Sequence, residues 1–590
     1  MSNEIKLTEG QKNAVYSKGH TLLVSAAAGS GKTAVLTKRI INIITDDKEP
    51  TDVSDLLVVT YTKAAASELK ERISKAIYEA MQEHPGNKHL SKQLIMLGGA
   101  KICTIHSFCF DLVRKNFQIL GLSNTVKIGE EGEILLVANN VLNALIEECY
   151  SGLHTEITPH FDEFSESFLM GKTDDNLAVD FLDIYNSLRN YPQGIEVLKS
   201  AAEDLAESAE DNILHSKWGN VIRRYLKKVY EYHCSKLNAS CKEIECDEYL
   251  SMNYLEAFQK DATFCYKVCD LLDNGTYSEV FDLFSSFEYK ELGTKGKNKP
   301  ESAEYHKKIR DRFKSVNNKI KTEMFCFSEK NVRQHFKLTS EINDTLYRFF
   351  RIFESRFFEE KAKRGILDYN DLERLSLKLL YNDTALTEKS NIAYSVQERF
   401  KHVFIDEYQD VNELQDKIFS AVSTPKNRFM VGDIKQSIYG FRGSEPSLFS
   451  SYRNAFPMYS SDEDKSDGLT VFLSDNFRSH KTVLDYSNAV FSLLFNNNSG
   501  EMPYTKGDEL RCSRIYKEDD VDEKVRMCYM KDEAGVKGYI KEAEFVAREV
   551  ESLIKNGHKP SEIALLFRYK TKTVFFEEAL RRRNIPTFNK

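Results

Sequence analysis

Short apolar runs alternate with longer amphipathic stretches over the first 115 residues of the chain. The runs Leu22–Ser25, Leu56–Thr60 and Ile102–Thr104 lie between polar positions and predict buried β-strands. The stretches with helical spacing that alternate with them are Ala34–Ile43, Ala64–Ala80 and Ser107–Phe117. This alternation predicts an α/β fold built on a parallel sheet.

A second pattern extends from about residue 120 to residue 365. Long amphipathic stretches dominate there, proline is sparse and β-type runs disappear, which predicts a large all-helical insertion. Within it, Tyr289–Arg310 is rich in lysine and contains Gly293, Gly296 and Pro300. Such a segment is typical of a solvated loop or hinge.

The α/β pattern resumes at residue 366. Val403–Ile405 and Arg428–Val431 predict buried strands, and the polar break Asp462–Gly468 predicts a domain boundary. Leu469–Leu473 would then be the first strand of the next domain. Two helices, a strand and a last helix are predicted at Lys481–Phe495, Ala543–Lys555, Ile563–Phe567 and Thr573–Arg583.

Composition narrows the class of protein only a little. A chain of 590 residues suggests about three or four domains. The net charge of −8 does not indicate a nucleic-acid binder, but binding depends on a local groove rather than on the sum. There is no long apolar run and no signal-peptide core, so we expect a cytoplasmic protein.

Eleven cysteines are scattered through the chain, and reduced thiols are the expected state. Five of them lie close together in sequence, with His233 nearby, and their spacing would suit a zinc or iron–sulfur centre. Because the surrounding pattern is helical, buried thiols are the favoured interpretation. The five are Cys234, Cys241, Cys246, Cys265 and Cys269.

A phosphate-binding loop is predicted between the first strand and the first long helix. Gly29 and Gly31 let several backbone N–H groups point to one phosphate group, and the following helix adds its positive end. Lys32 reaches the β- and γ-phosphates of ATP, and the Thr33 hydroxyl is a Mg²⁺ ligand. Ala26 replaces the motif's first glycine, which is a small departure because alanine is nearly as compact. The alternative is a chance match in a loop of small residues. The predicted loop residues are Ala26, Ala27, Ala28, Gly29, Ser30, Gly31, Lys32 and Thr33.

An acidic pair follows the predicted strand Val403–Ile405, where the second half of an ATP site is expected. Asp406 would hold Mg²⁺, and Glu407 would orient and deprotonate the attacking water. Gln436, just past another strand, can contact the γ-phosphate or the water. Arg478 has a guanidinium that suits a γ-phosphate. Taken singly, each of these side chains would more often make a surface hydrogen bond.

In their order, these segments resemble the UvrD-like superfamily-one DNA helicases, from residue 7 to about residue 586. The resemblance implies that Gln11 reads the adenine edge and that Phe477 stacks on adenine. Residues 60–66 and 103–108 resemble two motifs that grip single-stranded DNA. Leu367–Leu372 matches the segment where the chain returns from the helical insertion.

The resemblance also implies a set of DNA contacts. Tyr61, Phe108, Tyr439 and Phe441 lie in or beside loops after predicted strands, where rings could stack on bases or pack in the core. The basic side chains among the candidates would meet phosphates, although surface ion pairs explain them equally well. The predicted DNA-binding residues are Tyr61, Thr62, Lys63, His106, Ser107, Tyr439, Phe441 and Arg442.

Within the family, the chain is most similar to the AddA group of helicase–nucleases, which are relatives of RecB. Ala34 stands where UvrD-type motors usually carry arginine, and Asn176–Leu188 and Asp406–Asp410 also fit. The resemblance implies ATP and Mg²⁺ as cofactors, single-stranded and duplex DNA as partners, 3′ to 5′ movement, and an AddB-type partner subunit.

The family pattern continues beyond residue 590 with an accessory domain, two further motifs and, in the AddA group, a nuclease domain. We therefore expect either a cloned fragment or a truncated gene product, with nuclease activity only in the longer parent. The implied organisation is a RecA-like domain 1A in two parts, a helical domain 1B and an incomplete RecA-like domain 2A. Their bounds are residues 1–118 and 365–460 for 1A, 119–364 for 1B and 461–590 for 2A.

The predicted function is that of an ATP-dependent 3′–5′ DNA helicase of double-strand-break repair by recombination. Three alternatives remain: a fragment that binds ATP and single-stranded DNA with little hydrolysis, a plain UvrD/PcrA-type repair helicase, and an unrelated P-loop ATPase. Measuring ATP hydrolysis with and without single-stranded DNA separates the binding fragment from the motors.

Overall fold

The computed structural model describes residues 7–46, 48–157, 161, 164–166, 174–296, 299–460, 466–495, 502–514, 524–530 and 538–588, without the side chains of residues 174–176 and 442. The predicted break Asp462–Gly468 lies partly outside these residues, and so does the side chain of Asn176. The chain divides into two compact units. One comprises Met1–Phe477 and Leu494–Leu510, the other Arg478–Leu493 and Arg511–Lys590.

Six strands of the first unit form one all-parallel sheet. The strands of the described chain are β1 (Thr21–Ala26), β2 (Leu56–Thr60), β3 (Lys101–Thr104), β4 (Lys127–Ile128), β5 (Ile366–Leu367), β6 (His402–Ile405), β7 (Arg428–Gly432), β8 (Gly468–Leu473), β9 (Asp475–Asn476) and β10 (Arg511–Cys512). The order in the sheet is β3-β2-β6-β7-β1-β8. The predicted α/β fold with a parallel sheet is confirmed.

Helices cover both faces of this sheet, and the rest form the insertion and the second unit. They are α1 (Glu9–Tyr16), α2 (Lys32–Ile44), α3 (Lys63–Glu83), α4 (Lys88–Met96), α5 (Ile105–Lys115), α6 (Glu131–Tyr150), α7 (Asp174–Leu188), α8 (Glu196–Glu210), α9 (Lys217–Glu245), α10 (Glu248–Asn253), α11 (Leu255–Asn274), α12 (Tyr277–Ser286), α13 (Ser302–Glu323), α14 (Glu329–Lys363), α15 (Tyr369–Leu380), α16 (Asn391–Arg399), α17 (Glu413–Val422), α18 (Pro446–Ala455), α19 (Lys481–Leu494), α20 (Gly538–Lys555) and α21 (Thr573–Arg581).

The central strands are apolar on both sides because both faces of the sheet are covered. Leu22 and Val24 of β1 pack in a core with α2 and α3, whereas Leu23 packs in a second core with α5, α15 and α17. Parallel strands buried on both faces have this continuous apolar character. Because β1, β6 and β7 are parallel, their carboxyl ends lie at the same end of the sheet, which is where α/β folds place ligands.

Strand β8 corrects one prediction. Leu469–Leu473 does form a strand, but it pairs with β1 from Thr21–Gly468 to Ala26–Leu473 and belongs to the first sheet. The first unit accordingly extends past the predicted boundary at residue 461 to Phe477. The side of β1 that faces away from β7 has backbone N–H and C=O groups that need partners, and β8 pairs with them despite the polar break before it.

The insertion is helical, as predicted, and its two ends meet. Strands β4 and β5, at its start and its end, pair in parallel through Lys127–Ile366 and Ile128–Leu367. The lysine-rich segment Tyr289–Arg310 was predicted to be a loop, but from Ser302 onward it belongs to α13. The described residues between α12 and α13 do form a loop, and Asn253 holds it: its side chain accepts from the Lys295 N–H at 2.8 Å and donates to the Lys295 carbonyl at 2.9 Å.

Helices α20 and α21 pack on each other in the second unit through Ala547, Phe576 and Leu580. The predicted strand Ile563–Phe567 is wrong. Ile563 and Leu565 do pack on this small core, but the segment has no ladder partner among the described residues. An alternating pattern without a neighbouring strand leaves the backbone unpaired, so no strand forms.

Four of the five clustered cysteines lie in or beside the hydrophobic core of the insertion, whereas Cys246, expected to be buried, is exposed. Cys241 and Cys265 are buried there, and burial raises the pKa of the Cys241 thiol to about 11. Within the described ranges, no three His, Cys, Asp or Glu side chains converge as a metal site would require. None of the helices described combines the length and apolar composition that a bilayer crossing requires.

Candidate nucleotide-binding and DNA-binding sites

The phosphate loop joins the end of β1 to the start of α2. Gly29 and Gly31 have φ values of 73° and 83°, in the left-handed region that glycine adopts without strain. Ser30 is buried, and its hydroxyl has no hydrogen-bond partner in the described structure. An unsatisfied hydroxyl in such a loop fits a phosphate oxygen as its missing partner.

Gln11 supports the loop from helix α1. Its Nε2 donates to the Ser30 carbonyl at 3.0 Å, and its Oε1 accepts from the Thr8 N–H at 3.1 Å in a capping box. A Cβ on Gly31 would lie 3.3 Å from the same Nε2, so the contact depends on a compact residue there. Gln11 is therefore a buried support for the loop, and its predicted contact with adenine stays a prediction.

The acidic pair after β6 contacts the phosphate loop. Asp406 and Glu407 follow β6, and Glu407 Oε2 accepts from Lys32 Nζ at 2.8 Å. Glu407 has φ 50° and ψ 47°, a left-handed conformation that costs a non-glycine residue about 1–3 kcal/mol and is concentrated at functional sites. Burial, then the adjacent Glu407, raises the pKa of Asp406 to about 6.

Phe477 lies at the phosphate loop through its backbone. Its N–H donates to the Gly29 carbonyl at 3.1 Å, and Asn476 Nδ2 donates to the Ala28 carbonyl at 2.6 Å. Sequence reasoning missed Asn476, although its position shortly after the predicted strand Leu469–Leu473 was a usable signal. Arg478 is the first residue of the second unit, so its predicted convergence with Lys32 stays a prediction.

Gln436 ends a short helical turn after β7, on the same edge of the sheet. Its Nε2 donates to Asp433 Oδ2 at 2.7 Å, so the amide is already oriented from its own loop. Asp433 also pairs with Lys435 at 2.8 Å. Gln436 is half-buried, at the position where a γ-phosphate contact is predicted.

Three of the predicted DNA-binding residues form a row of aromatic rings. Tyr61 and Tyr439 stack with ring centroids 4.7 Å apart, and Phe441 lies 5.9 Å from Tyr439. Phe441 is 79% exposed, which is unusual for phenylalanine. The fourth candidate ring, Phe108, is buried in the core against Phe400, so the core-packing alternative holds for it.

A groove of about 760 Å³ lies beside this row, between the sheet edge and the insertion, and it is lined by Tyr61, Lys63, His106 and Ser107 among others. His106 pairs with Glu373 at 3.2 Å, and its ring lies 4.7 Å from that of Tyr369. Tyr369 is 53% exposed and was missed by sequence reasoning.

Thr62 and Lys63 begin α3, where the Thr62 hydroxyl caps the helix by accepting from the Ala65 N–H at 3.1 Å. Ser107 is held by Thr104 through a hydroxyl contact of 2.9 Å. Lys63 is exposed at the groove. The side chain of Arg442 lies outside the described part of the chain.

The groove lining is not basic. Its acidic residues are Glu131, Asp368, Glu373 and Asp410, and its lysine and arginine residues are Lys63 and Arg189. Carboxylates therefore at least balance the cations, so ring stacking rather than net charge is the means of binding that this groove offers.

These features define the class of protein: a P-loop nucleotide-binding protein on a parallel sheet that is interrupted by a large helical insertion. The chain belongs to the UvrD-like helicase family. Residues 7–457 match the UvrD/REP helicase N-terminal domain, and residues 471–589 match the UvrD-like helicase C-terminal domain.

Curated relatives are named as the A subunits of ATP-dependent helicase/nucleases. The protein of Thermoanaerobacter pseudethanolicus is 34% identical over 518 residues, which cover 87% of this chain and 41% of the relative. That of Clostridium acetobutylicum is 34% identical over 541 residues, covering 87% and 42%. That of Lachnoclostridium phytofermentans is 35% identical over 513 residues, covering 85% and 36%. The chain thus spans about two fifths of the length of these relatives.

Proposed function

We propose that this chain is the helicase portion of an AddA-type ATP-dependent helicase/nuclease, a motor that moves 3′ to 5′ on DNA in double-strand-break repair by recombination. The observation that carries the proposal is the 2.8 Å contact between Lys32 and Glu407. It places the phosphate loop after β1 beside the acidic pair after β6, and ATP hydrolysis needs both of these groups at one site.

Each residue at this edge has a part in the proposed hydrolysis. Lys32 binds the β- and γ-phosphates and releases Glu407, which then orients and deprotonates the attacking water. Gln436 positions the γ-phosphate or the water, and Arg478 stabilises charge in transfer. Thr33 and Asp406 would hold Mg²⁺, which neutralises charge on the phosphate oxygens.

Single-stranded DNA would bind along the aromatic row and the groove. Tyr61, Tyr439 and Phe441 would stack on successive bases, while Thr62, Lys63, His106, Ser107 and Arg442 would contact the backbone. The loop that carries Tyr439 begins at Asp433, close to the nucleotide site. ATP binding and release would therefore shift the rings relative to the strand by differential affinity.

The proposed motor has a sheet domain 1A, predicted at residues 1–118 and 365–460 and extended by β8 to Phe477, and a helical domain 1B at 119–364. Domain 2A would follow, and closure of 1A on 2A around ATP would bring Arg478 to Lys32. Because the relatives are named as one subunit of a helicase/nuclease, the proposal also includes an AddB-type partner.

ATP hydrolysis measured with and without oligo-dT tests the proposal. We expect strong stimulation by oligo-dT, loss of hydrolysis in Lys32→Ala, and normal hydrolysis in Lys38→Ala, an exposed lysine on the same helix. Binding of DNA without hydrolysis would support the binding-fragment alternative instead. Normal hydrolysis by Lys32→Ala would show that the site is wrong.

Streptavidin displacement tests the direction of movement. Motion from 3′ to 5′ displaces streptavidin from a biotin at the 5′ end of an oligonucleotide and leaves a 3′ block in place. The opposite preference would overturn the proposed polarity while leaving the motor assignment intact.

A further inference from the structure

A buried amide lies between the two halves of the proposed catalytic site. Gln409 is 2% exposed, in the short turn Tyr408–Asp410 after the acidic pair. Its Nε2 donates to Glu407 Oε2 at 2.9 Å and to Asp410 Oδ2 at 3.2 Å. Its Oε1 accepts from the Asp433 N–H at 2.9 Å. A backbone N–H can only donate, so this contact sets the orientation of the amide.

The backbone after β7 is shaped to receive this amide. A Cβ on Gly432 would lie 2.3 Å from Gln409 Oε1, so a side chain there would displace this amide oxygen. Glycine at this position therefore permits the close approach of the two segments. The contact between Gln409 and Asp433 therefore depends on both segments: the amide after β6 and the glycine at the end of β7.

The path continues from Asp433 toward the DNA rings. Asp433 accepts from Gln436 Nε2 at 2.7 Å, and the same loop carries Tyr439, stacked on Tyr61. An unbroken series of contacts thus runs from Lys32 through Glu407, Gln409 and Asp433 to the loop with the aromatic rings.

We infer that Gln409 is a positioning residue that couples the water-activating carboxylate of Glu407 to the loop carrying Gln436 and the aromatic row. This inference rests on the proposed function and adds to it the means by which DNA stimulates hydrolysis. Because one amide bonds both segments, a shift of the loop when DNA stacks on its rings re-aims the Glu407 carboxylate. The amide donates only through Nε2 and accepts only through Oε1, so a substitution that removes one of these two functions breaks the bridge in a defined way.

Gln409→Glu and Gln409→Met test this role. At pH 8 a carboxylate at position 409 can still accept from the Asp433 N–H but can no longer donate to Glu407 and Asp410. It faces the carboxylates of Glu407, Asp410 and Asp433, and Lys32 lies on the other side of Glu407. When protonated, the acid again donates and accepts. We expect the stimulation by oligo-dT to fall about tenfold or more at pH 8, as for other residues that orient a catalytic group. It should recover toward pH 6 in Gln409→Glu and at no pH in Gln409→Met.

Gln397 provides the matched control. Its Nε2 donates to the Ala421 and Ser423 carbonyls at 2.7 and 3.1 Å, in the same unit but away from the nucleotide site. Gln397→Glu and Gln397→Met should keep wild-type stimulation. Thermal melting and binding of a fluorescent ATP analogue verify that every variant is folded.

Unchanged stimulation in both Gln409 variants would overturn the inference. So would an equal loss of basal and stimulated hydrolysis with no recovery at low pH, because that result describes a merely structural residue. If the unaltered chain itself failed to hydrolyse ATP with oligo-dT, the proposed function would fail too, and this outcome is distinguishable from the others.

Discussion

At the scale of single residues, the site depends on a few side chains that are paired before any nucleotide arrives. Lys32 is 14% exposed and neutralises Glu407, so neither charge stands alone at the sheet edge. Breaking such a pair leaves a poorly solvated charge behind, whereas ATP phosphates can replace the carboxylate as partners of the lysine. In the proposed mechanism, the phosphates of ATP take the place of Glu407 as partners of Lys32.

Glu407→Gln should separate ATP binding from hydrolysis. Removing the water-activating carboxylate is expected to lower the hydrolysis rate by roughly 10²–10⁴-fold. Affinity for ATP should stay the same or rise, because Lys32 no longer has a competing partner. Radiolabelled ATP binding and phosphate release measure the two effects, with the exposed Glu71→Gln on α3 as the control. Equal losses of binding and hydrolysis would contradict this role.

His402 makes a pH-dependent contribution to stability. Burial, and then Arg39 and nearby lysines, lowers the pKa of this histidine to about 4. Between pH 6.5 and 4 the unfolded chain therefore binds the proton more strongly, so the free energy of unfolding falls as the pH falls through this window, by about 1 kcal/mol per pH unit. Urea denaturation of His402→Gln should show a shallower pH dependence than the wild type, and parallel curves would refute the assignment.

At the scale of elements, a buried cluster of four charges joins the insertion to the sheet domain. Arg189, after α7, donates to Asp368 and Asp371 at 2.9 Å, and Lys361 of α14 contacts the same carboxylates at 2.6 Å. Arg189 and then Lys361 hold the pKa of Asp368 well below its usual range, against the effect of burial. Two cations balance two anions, so the cluster is neutral only as a whole.

Lys361→Met should destabilise the protein strongly. It leaves one guanidinium facing two buried carboxylates, and breaking a buried ion pair in this way typically costs about 3–5 kcal/mol. Lys363→Met, on the same helix but 66% exposed, should change the free energy of unfolding by less than about 0.5 kcal/mol. Urea denaturation followed by circular dichroism measures both, and similar effects of the two variants would refute the cluster's role.

At the scale of the whole molecule, charge and stacking give different expectations for DNA binding. The net charge is −8, and the groove lining has no excess of cations. The aromatic row is the feature that offers affinity, and each stacked base contributes about 1–3 kcal/mol. Because few cations line the groove, few phosphates are expected to be neutralised, and the DNA affinity should fall only weakly as salt rises. The logarithm of the binding constant should fall by about 0.7 per phosphate contact for each tenfold rise in salt concentration.

Phe441→Ala should weaken binding of a fluorescent oligo-dT by about 1–3 kcal/mol. Tyr266→Ala, which removes a ring that is 70% exposed on the insertion, should leave the affinity unchanged. Fluorescence anisotropy at two salt concentrations measures both variants. An equal loss in the two, or none in Phe441→Ala, would contradict a stacking role for the row.

The sequence by itself determined the chemistry that is contiguous in the chain. The phosphate loop, the acidic pair and most strands and helices were predicted because their signals lie within a few residues and depend on local backbone preference. The family also followed from the order of such segments. The helical insertion could also be predicted, because helical spacing of apolar residues replaces the short β-type runs over more than two hundred residues.

Only the tertiary structure decided which distant segments meet. Strand β8 joined the first sheet because the edge of β1 was open, Phe108 entered the core while Phe441 stayed exposed, and Gln409 found its partner beyond β7. These outcomes depend on competition between partners far apart in the chain. Local patterns show that a strand, a ring or an amide needs a partner, but the packing of the whole domain selects which partner it receives.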